Sequence, residues 1–371
     1  MTTSDASTAG VATTSSEPRI IDLDVTRAVA LIGVCVMNYH GYLILRGADP
    51  GEGFLARVFN PWEGPLSTRF AATFVTVAGM GVALLTRRAV QGRDPVEVQR
   101  VRWVLIRRGV LLYAFGFFLN WVWSGTILFY YGAYFLVAAA IFTLGNRWII
   151  AIGAGAAVAS AAVQWWAIDR SANGHSVAWL LSGDATSNTS PRDLVLDTFL
   201  RGTHPLFPWL AFLCMGIVLG RVLPFNSIMR VQMAFAGVLC VAAGYLLRDT
   251  MPVHATLRST FPFDRGLLYT LTAIGSSLVA VSVVGWIAEA TAESTATRML
   301  AVTGRTTLSL YVLHVLVFNL VVDWLGWVQP AGLSTALLFA LGYWVVAIAL
   351  ANAWHTRFEL GPLEWVYRRF S

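Results

Sequence analysis

About ten apolar stretches, each about 20 residues long, follow one another along the chain, and they constrain its fold more than any other feature. A stretch of this length crosses the hydrocarbon core of a membrane as one α-helix. Only 12% of the residues are charged, whereas a soluble domain has about 25%. The sequence therefore predicts an all-α, polytopic integral membrane helical bundle with about 10 transmembrane helices. The predicted spans are 20–45, 66–86, 103–121, 125–144, 148–168, 204–222, 229–247, 263–288, 302–326 and 332–354.

The ends and connections of the chain predict its topology. Residues 1–18 are rich in Ser, Thr and Ala, which predicts a disordered cytoplasmic tail ahead of one transmembrane domain, 19–371. Arg residues are more frequent in the alternate connections on the side of the N-terminus, which places both termini in the cytoplasm of a cell with the protein in its plasma membrane. The net charge of +6 is spread over short connections, so we expect membrane lipid and not nucleic acid as a partner. The sequence allows a homodimer as well as a monomer.

A short helix is predicted in the long connection 169–203, on the outer side. Ser190 is a typical helix N-cap, and Pro191 follows it at the first helical position. The apolar residues after Asp193 then give an amphipathic helix at the membrane interface.

The first stretch, 20–45, carries polar residues that a lipid-facing helix would not tolerate. Asp24, Arg27 and Asn38 fall on one stripe of the helix, and such a stripe must face protein or water. Asp24 and Arg27 are three residues apart and can form an ion pair. This pair is either an anchor of the helix end or part of a substrate-binding site.

Three histidines fall in predicted spans, and they are the candidate catalytic residues. His40 follows Asn38 at the outer end of the first span, His204 opens the sixth span at a similar level, and His314 shares a helix face with Tyr311 in the ninth. A neutral imidazole is a suitable general base near pH 7. The sequence predicts that these histidines share one polar cavity, although each could equally be a structural residue with a satisfied hydrogen bond.

Two further charged groups are candidates for binding. Asp264 and Arg265 precede the apolar part of the eighth span and either close the outer mouth of a cavity or form an exposed pair. Arg107 and Arg108 belong to the densest cation cluster on the inner side and could hold the phosphates of a coenzyme, although the charge asymmetry of membrane proteins also explains them. The three cysteines show no metal-ligand or disulfide spacing, and we predict no metal.

Four motifs in a fixed order resemble the bacterial YeiB-like multi-spanning proteins, which are similar to the catalytic domain of heparan-α-glucosaminide N-acetyltransferase. One departure is Ala28, which replaces the glycine that follows the arginine of the family's first motif. The resemblance spans nearly the whole chain after residue 18. The motifs are Arg19 to Gly33, Phe207-Pro208-Trp209-Leu210 to Gly220-Arg221, Gly304-Arg305 to Tyr311, and Gly361-Pro362-Leu363-Glu364-Trp365 to Arg369.

The resemblance implies a membrane acyltransferase with an essential histidine. Acyl-CoA, in particular acetyl-CoA, would be the cytoplasmic co-substrate, and the acceptor would be a sugar or glycolipid of the cell envelope on the far side. In the animal relatives the essential histidine comes later than the Asn-Tyr pair, at a position that Phe59 or Asn60 holds here, so His40 is the nearest candidate. The residues expected to bind substrate are Asp24, Arg27, Asn38, Tyr311, Arg305, Asp264 and Arg265, and those expected to bind the coenzyme are Arg107 and Arg108.

The same buried polar residues also allow a function without catalysis. In a transporter of a small polar solute they would form a permeation or proton path, and in a membrane scaffold they would only hold helices together. A transporter would show helices broken near the middle of the membrane. The spans carry no Gly/Pro break at matched middle positions, which favours the enzyme.

Overall fold

A computed structural model describes residues 20–181 and 190–371, and all of the regular structure in these ranges is helical. The predicted disordered tail, 1–18, lies outside the described residues. The α-helices are α1 (Ile21–Ile44), α2 (Phe54–Val58), α3 (Arg69–Gly92), α4 (Pro95–Leu119), α5 (Ile127–Ile141), α6 (Asn146–Ala172), α7 (Ala178–Leu181), α8 (Pro191–Leu196), α9 (Leu206–Gly220), α10 (Ser227–Thr250), α11 (Leu267–Ala290), α12 (Thr295–Arg305), α13 (Thr307–Phe318), α14 (Leu333–His355) and α15 (Pro362–Phe370). Wider π-helical turns continue α8 over Asp197–Arg201 and α13 over Asn319–Trp324.

The prediction of an all-helical membrane protein is confirmed, whereas the number of spans is not. Six of the described helices are long and apolar enough to cross a membrane, and a bent pair gives a seventh if it is counted as one span. Helix α5, which lies in a predicted span, has only 15 residues. The count of ten and the cytoplasmic position of the termini therefore stay predictions. The six helices are α3, α6, α10, α11, the continuous segment Thr307–Trp324, and α14.

Helix α1 lies at the centre of the bundle and contacts α3, α11, α12, α13 and α14. The side chains of Leu31, Cys35 and Tyr39 are fully buried along it. Its apolar residues supply this core, and the polar groups between them face neighbouring helices. The first stretch of the chain thus organises the fold.

Glycine allows a close contact between helices α3 and α9. A Cβ atom on Gly216 of α9 would lie 2.0 Å from the carbonyl oxygen of Thr76 in α3, and one on Gly220 would lie 2.7 Å from Cα of Met80. No larger side chain fits where two backbones approach this closely. The Gly-x-x-x-Gly pattern of α9 is therefore a packing face.

The predicted ninth span is two helices. Helix α12 ends at Arg305, Thr306 adopts a non-helical conformation, and α13 begins at Thr307. The carboxylate of Glu364 in α15 accepts hydrogen bonds from the backbone N–H groups of Leu308 (2.7 Å) and Ser309 (3.1 Å). The start of α13 is capped by the C-terminal helix, which periodicity within residues 302–326 could not reveal.

The helical bundle has two ends, which we call the Asp24 end and the His204 end. The Asp24 end contains the start of α1, the start of α13 and the helix α15. The His204 end contains the last turns of α1, the connection between α4 and α5, and the segment that leads into α9. Asp24 and Asn38 are separated by roughly 21 Å along α1, at about 1.5 Å per residue.

Candidate functional site

A cavity of about 280 Å³ opens at the His204 end of the bundle. It includes three of the predicted site residues, Asn38, His204 and Tyr311. The structure thus brings three of the predicted residues to one cavity, together with the polar side chains of Thr68, Ser124 and Thr203. The remaining lining residues are Val34, Met37, Gly41, Tyr42, Leu45, Pro61, Trp62, Phe70, Ala71, Gly125, Ile127 and Phe263.

The segment that carries His204 is held by two tyrosines of α5. The hydroxyl of Tyr134 donates to the carbonyl oxygen of His204 at 2.5 Å, and the backbone N–H of Thr203 donates to the hydroxyl oxygen of Tyr130 at 3.1 Å. A Cβ atom on Gly202 would lie 2.1 Å from that same oxygen of Tyr130. Glycine is thus required at residue 202 because the backbone passes directly against the tyrosine.

Arg265, which lies just before α11, also holds the segment that carries His204. Its guanidinium is buried and donates to the carbonyl oxygens of Arg201 (2.7 Å) and Gly202 (2.8 Å). Arg201 is itself buried and binds the carboxylates of Asp193 (2.6 Å) and Asp197 (2.5 Å). Arg265 therefore does not form an exposed surface pair, and its contacts define the bend just before His204.

The hydrogen bonds of His204 assign its tautomer. The hydroxyl of Thr203 can donate to the carbonyl oxygen of Gly125 at 3.4 Å, which leaves its oxygen free to accept from Nδ1–H of His204 at 2.9 Å. Nε2 then carries the lone pair, and no group in the described ranges hydrogen-bonds to it. The ring packs edge-on against Trp209, with 4.5 Å between ring centroids. An imidazole of this tautomer in a cavity can act as a general base.

His314 touches the cavity through its partners. Its Nδ1 donates to the carbonyl oxygen of Tyr311, so Nε2 is the acceptor for the amide of Asn38 at 3.3 Å. Both Asn38 and Tyr311 line the cavity, whereas the fully buried ring of His314 lies behind them. This arrangement orients Asn38, and it leaves the second amide N–H and the oxygen of Asn38 for a ligand.

His40 lies outside the cavity lining. Its ring is fully buried, and Nδ1 donates to the carbonyl oxygen of Phe59 at 2.9 Å. Nε2 has no hydrogen-bond partner within residues 20–181 and 190–371. The catalytic role of His40 stays a prediction, and of the three candidate histidines only His204 faces the cavity directly.

The predicted ion pair of α1 is part of a larger cluster at the Asp24 end. The carboxylate of Asp24 binds Arg27 at 3.3 Å and Arg305 at 3.1 Å, and Arg305 also lies 3.5 Å from Nε2 of His355. Arg27 donates in addition to the carbonyl oxygen of Gly304 at 3.4 Å. The structure brings Asp24, Arg27 and Arg305 together, away from the cavity with Asn38.

Arg107 and Arg108 differ in their surroundings. Arg107 is exposed, and Arg108 is half-buried with its guanidinium 4.9 Å from the ring centre of Tyr367. Arg108 also donates to the hydroxyl of Ser371 at 3.1 Å. These contacts place α4 beside the C-terminal helix α15, where cations of both helices face the same end of the bundle.

Asp264 lies near the mouth of the cavity without lining it, since its neighbour Phe263 takes that place. Asp264 belongs to a short connection outside the candidate spans, and its partial burial raises the pKa of the carboxyl above the usual range. Arg265 follows in a left-handed conformation with a φ of 51°. This conformation turns the chain so that the Arg265 side chain points inward to the carbonyls of residues 201 and 202.

An ion cluster that the sequence patterns did not indicate is buried at the Asp24 end. The guanidinium of Arg230 binds Asp22 at 2.6 Å and also binds Glu289, joining α10, α1 and α11. Asp22 and Arg230 have side chains that are 5% and 4% exposed, so neither charge is solvated. A Cβ atom on Gly285 would lie 2.4 Å from Nη1 of Arg230. The signal was present, because Arg230 falls inside the predicted span 229–247.

A second missed residue is Arg69, which is buried at the start of α3. It donates to the carbonyl oxygens of Tyr269 (3.2 Å) and Thr260 (3.4 Å), and it lies over the ring of Tyr269. Its place inside the predicted span 66–86 marked it as a buried charge. Its role is to hold the connection that leads into α11.

One known family matches the second part of the chain. Residues 221–371 carry a domain that matches the family described as "Protein of unknown function (DUF418)". This match is consistent with a YeiB-like family, and it includes Arg305, Tyr311 and His314. No curated protein matches the chain. Among the described residues, no group of three or more His, Cys, Asp or Glu side chains could hold a metal ion.

Proposed function

We propose that the protein is an integral membrane acyltransferase that moves an acyl group from acyl-CoA, in particular acetyl-CoA, to a hydroxyl or amine of a sugar or glycolipid of the cell envelope. The observation that carries the proposal is the orientation of His204. Its Nδ1 is bound to Thr203, and its Nε2 is free of partners among the described residues in a cavity with other polar side chains. Such an imidazole is arranged to accept a proton.

In the proposed reaction, Nε2 of His204 takes the proton of the acceptor hydroxyl or amine. The acceptor oxygen or nitrogen then bonds to the thioester carbonyl carbon, and the carbon–sulfur bond breaks to release the CoA thiolate, which takes up the proton. Asn38 has a free amide N–H and oxygen that could orient the acceptor, because its other N–H is bound to His314. The cavity of about 280 Å³ is slightly smaller than most ligand sites, which favours one sugar ring over a long glycan.

The cations at the Asp24 end are the proposed site for the phosphates of CoA. Arg27 and Arg305 share only one carboxylate, that of Asp24, and Arg108 has no ion pair within the described ranges. This surplus of positive charge suits a phosphate. Arg27 and Val34, the deepest α1 residue of the cavity lining, are separated by roughly 10 Å along the helix. An extended thioester arm could span this distance.

Tyr131 of α5 is buried, and its hydroxyl has no hydrogen-bond partner among the described residues. It lies one turn beyond Ile127, which lines the cavity, and its ring packs against Phe74. We propose that Tyr131 moves when acyl-CoA binds, because it lies on the turn of α5 that follows the cavity toward the Asp24 end.

The test is acyl transfer by the full chain in lipid nanodiscs, with radiolabelled acetyl-CoA and lipid and glycan extracts of bacterial envelopes as acceptors. We expect His204→Gln to reduce labelling about 100-fold or more, because this is the usual contribution of a general base. His175→Gln is the matched control, because His175 is exposed and has no side-chain hydrogen bond among the described residues. His40→Gln tests the alternative base. A wild-type protein that neither binds nor consumes acyl-CoA would refute the proposal.

A specific observation also supports transport of a small polar solute. The segments Pro191–Arg201 and Leu206–Gly220 meet at a bend of 55°, directly at His204. Transporters commonly bind their substrates where a helix is broken. The break falls at the predicted outer boundary of the sixth span, which favours the enzyme. If proteoliposomes that contain the protein take up amino sugars without acylating them, transport would become the preferred function.

A further inference from the structure

A second, larger depression lies at the Asp24 end, on the outside of the bundle. It is a groove of about 920 Å³ between α13, the end of α14 and the start of α15. It shares no lining residue with the His204 cavity. The groove is lined by Thr306, Ser309, Leu310, Val312, Leu313, Leu316, Leu350, Ala351, Ala353, Trp354, Thr356, Arg357, Phe358, Pro362 and Leu363.

The groove changes in polarity along its length. Leucines line the part that runs along the helices, and the distance from Ser309 to Leu316 along α13 is roughly 10 Å. Thr356 and Arg357 lie at the other end, where α14 stops. The hydroxyl of Thr356 is bonded to its own helix, whereas the guanidinium of Arg357 has no hydrogen bond or ion pair within the described ranges. One end of the groove is thus apolar and the other carries an unpaired cation.

Helix α15 beside the groove is suited to the membrane surface. None of its residues is buried, and Trp365, Val366 and Phe370 expose about half of their surface. Arg368 and Arg369 follow in its last turn. A basic amphipathic helix with exposed aromatic residues lies in the plane of the head groups. Because α15 forms one wall of the groove, Arg357 should be at the same level, and the leucines should reach into the hydrocarbon.

We propose that this groove is a binding site for an anionic phospholipid. One acyl chain lies along Leu313, Leu316 and Leu350, and the phosphate binds Arg357 at the mouth. The order of apolar and charged groups along the groove matches that of a phospholipid, and the cations of α15 add attraction to anionic head groups. This site is separate from the His204 cavity, and the proposal does not depend on acyl transfer.

The experiment measures lipid retention by the full chain with native mass spectrometry. The protein is exchanged into nanodiscs that contain equal amounts of phosphatidylglycerol and phosphatidylcholine with identical chains, and is then released into detergent. We expect about fivefold more phosphatidylglycerol than phosphatidylcholine on the wild type, the effect of about 1 kcal/mol for one arginine near an anionic surface. Arg357→Gln should bring the two lipids to parity, and Arg357→Lys should keep the preference.

Two further variants separate this site from general lipid binding. Leu313→Trp places a large ring in the groove and should remove both lipids, whereas Leu341→Trp, at an exposed position of α14 outside the groove, should not. Arg298→Gln is the control for loss of charge, since Arg298 is exposed and paired with Glu293 at the same end.

Three outcomes would overturn the proposal. The first is equal retention of the two lipids by the wild type, and the second is an equal effect of Arg298→Gln and Arg357→Gln. The third is a dimer mass that Leu313→Trp converts to a monomer, because the groove would then hold a second copy of the chain. Melting temperatures of all variants in detergent confirm that each one folds.

Discussion

Two arginines at each end of the bundle show a difference in the acceptors that they bind. At the His204 end, Arg69 and Arg265 are buried and donate to backbone carbonyl oxygens. At the Asp24 end, Arg230 and Arg305 bind carboxylates on another helix. The bonds of Arg69 and Arg265 to carbonyl oxygens fix irregular connections around the cavity, whereas the ion pairs of Arg230 and Arg305 join helices. The comparison indicates that one end is built to position a site and that the other combines assembly of the bundle with charge.

The largest effect should come from the buried ion cluster. Arg230→Met would remove the cation that binds Asp22 and Glu289, and it would leave the buried carboxylate of Asp22 without its partner. We expect a loss of about 3–5 kcal/mol in the free energy of unfolding. Equilibrium unfolding in mixed micelles measures it. Arg298→Met removes an exposed ion pair and should cost at most about 1 kcal/mol. Equal losses would mean that the cluster does not join the helices.

The second prediction concerns the cap of α13. Glu364→Ala would leave the N–H groups of Leu308 and Ser309 without the carboxylate that accepts from them. We expect a loss of about 1.5–3 kcal/mol, because hydrogen bonds to a charged group are among the stronger ones. Glu359→Ala is the control at an exposed position nearby. Hydrogen exchange should increase in the first turn of α13, and unchanged exchange there would contradict the cap.

The third prediction tests the precision of the His204 end. Gly202→Ala would place a methyl group 2.1 Å from the hydroxyl oxygen of Tyr130 and 2.5 Å from the carbonyl oxygen of Asp197. We expect a loss of about 1–3 kcal/mol in stability from overpacking, with loss of the proposed transfer activity. Gly155→Ala has no atom within 4 Å and lies inside α6, so it should be neutral or stabilising. An active Gly202→Ala protein would show that this backbone contact does not position His204.

The smallest effect concerns pH. Burial raises the pKa of Asp264 above its value in the unfolded chain. The folded state then holds this proton more tightly, so the contribution of Asp264 to stability is fully present below the unfolded pKa of about 3.9 and is lost as the pH rises through the folded pKa. Asp264→Asn should therefore gain stability relative to the wild type as the pH rises from about 4 to 7. Unfolding measured at both pH values checks it, and a constant difference would refute it.

The first stretch of the chain shows how far sequence patterns reach. The stripe of Asp24, Arg27 and Asn38 correctly predicted polar contacts inside the bundle, because no other surroundings satisfy such groups in lipid. Because helix α1 is long, however, Asp24 and Arg27 lie at one end of the bundle and Asn38 lies at the other. The pairing of Asp24 with Arg305 bridges residues far apart in the chain, and no local pattern specifies such a pair.

The cavity illustrates the other limit. The sequence named His40, His204 and His314 without distinguishing them, since all three follow from the cost of an imidazole in an apolar span. Their surroundings differ: His40 donates a hydrogen bond to the carbonyl oxygen of Phe59, and His314 accepts one from the amide of Asn38. The bend that Arg265 holds exposes His204 to the cavity.

Sequence alone determined that this chain is an all-helical membrane protein centred on its first apolar stretch, because the hydrocarbon of a membrane permits few alternatives to apolar helices. Tertiary structure decided which histidine faces the cavity, which arginines pair with carboxylates, and how Glu364 caps α13. These contacts join residues that are distant in the chain. Their geometry depends on how the helices pack, and the hydrophobic pattern that builds each helix carries no record of its neighbours.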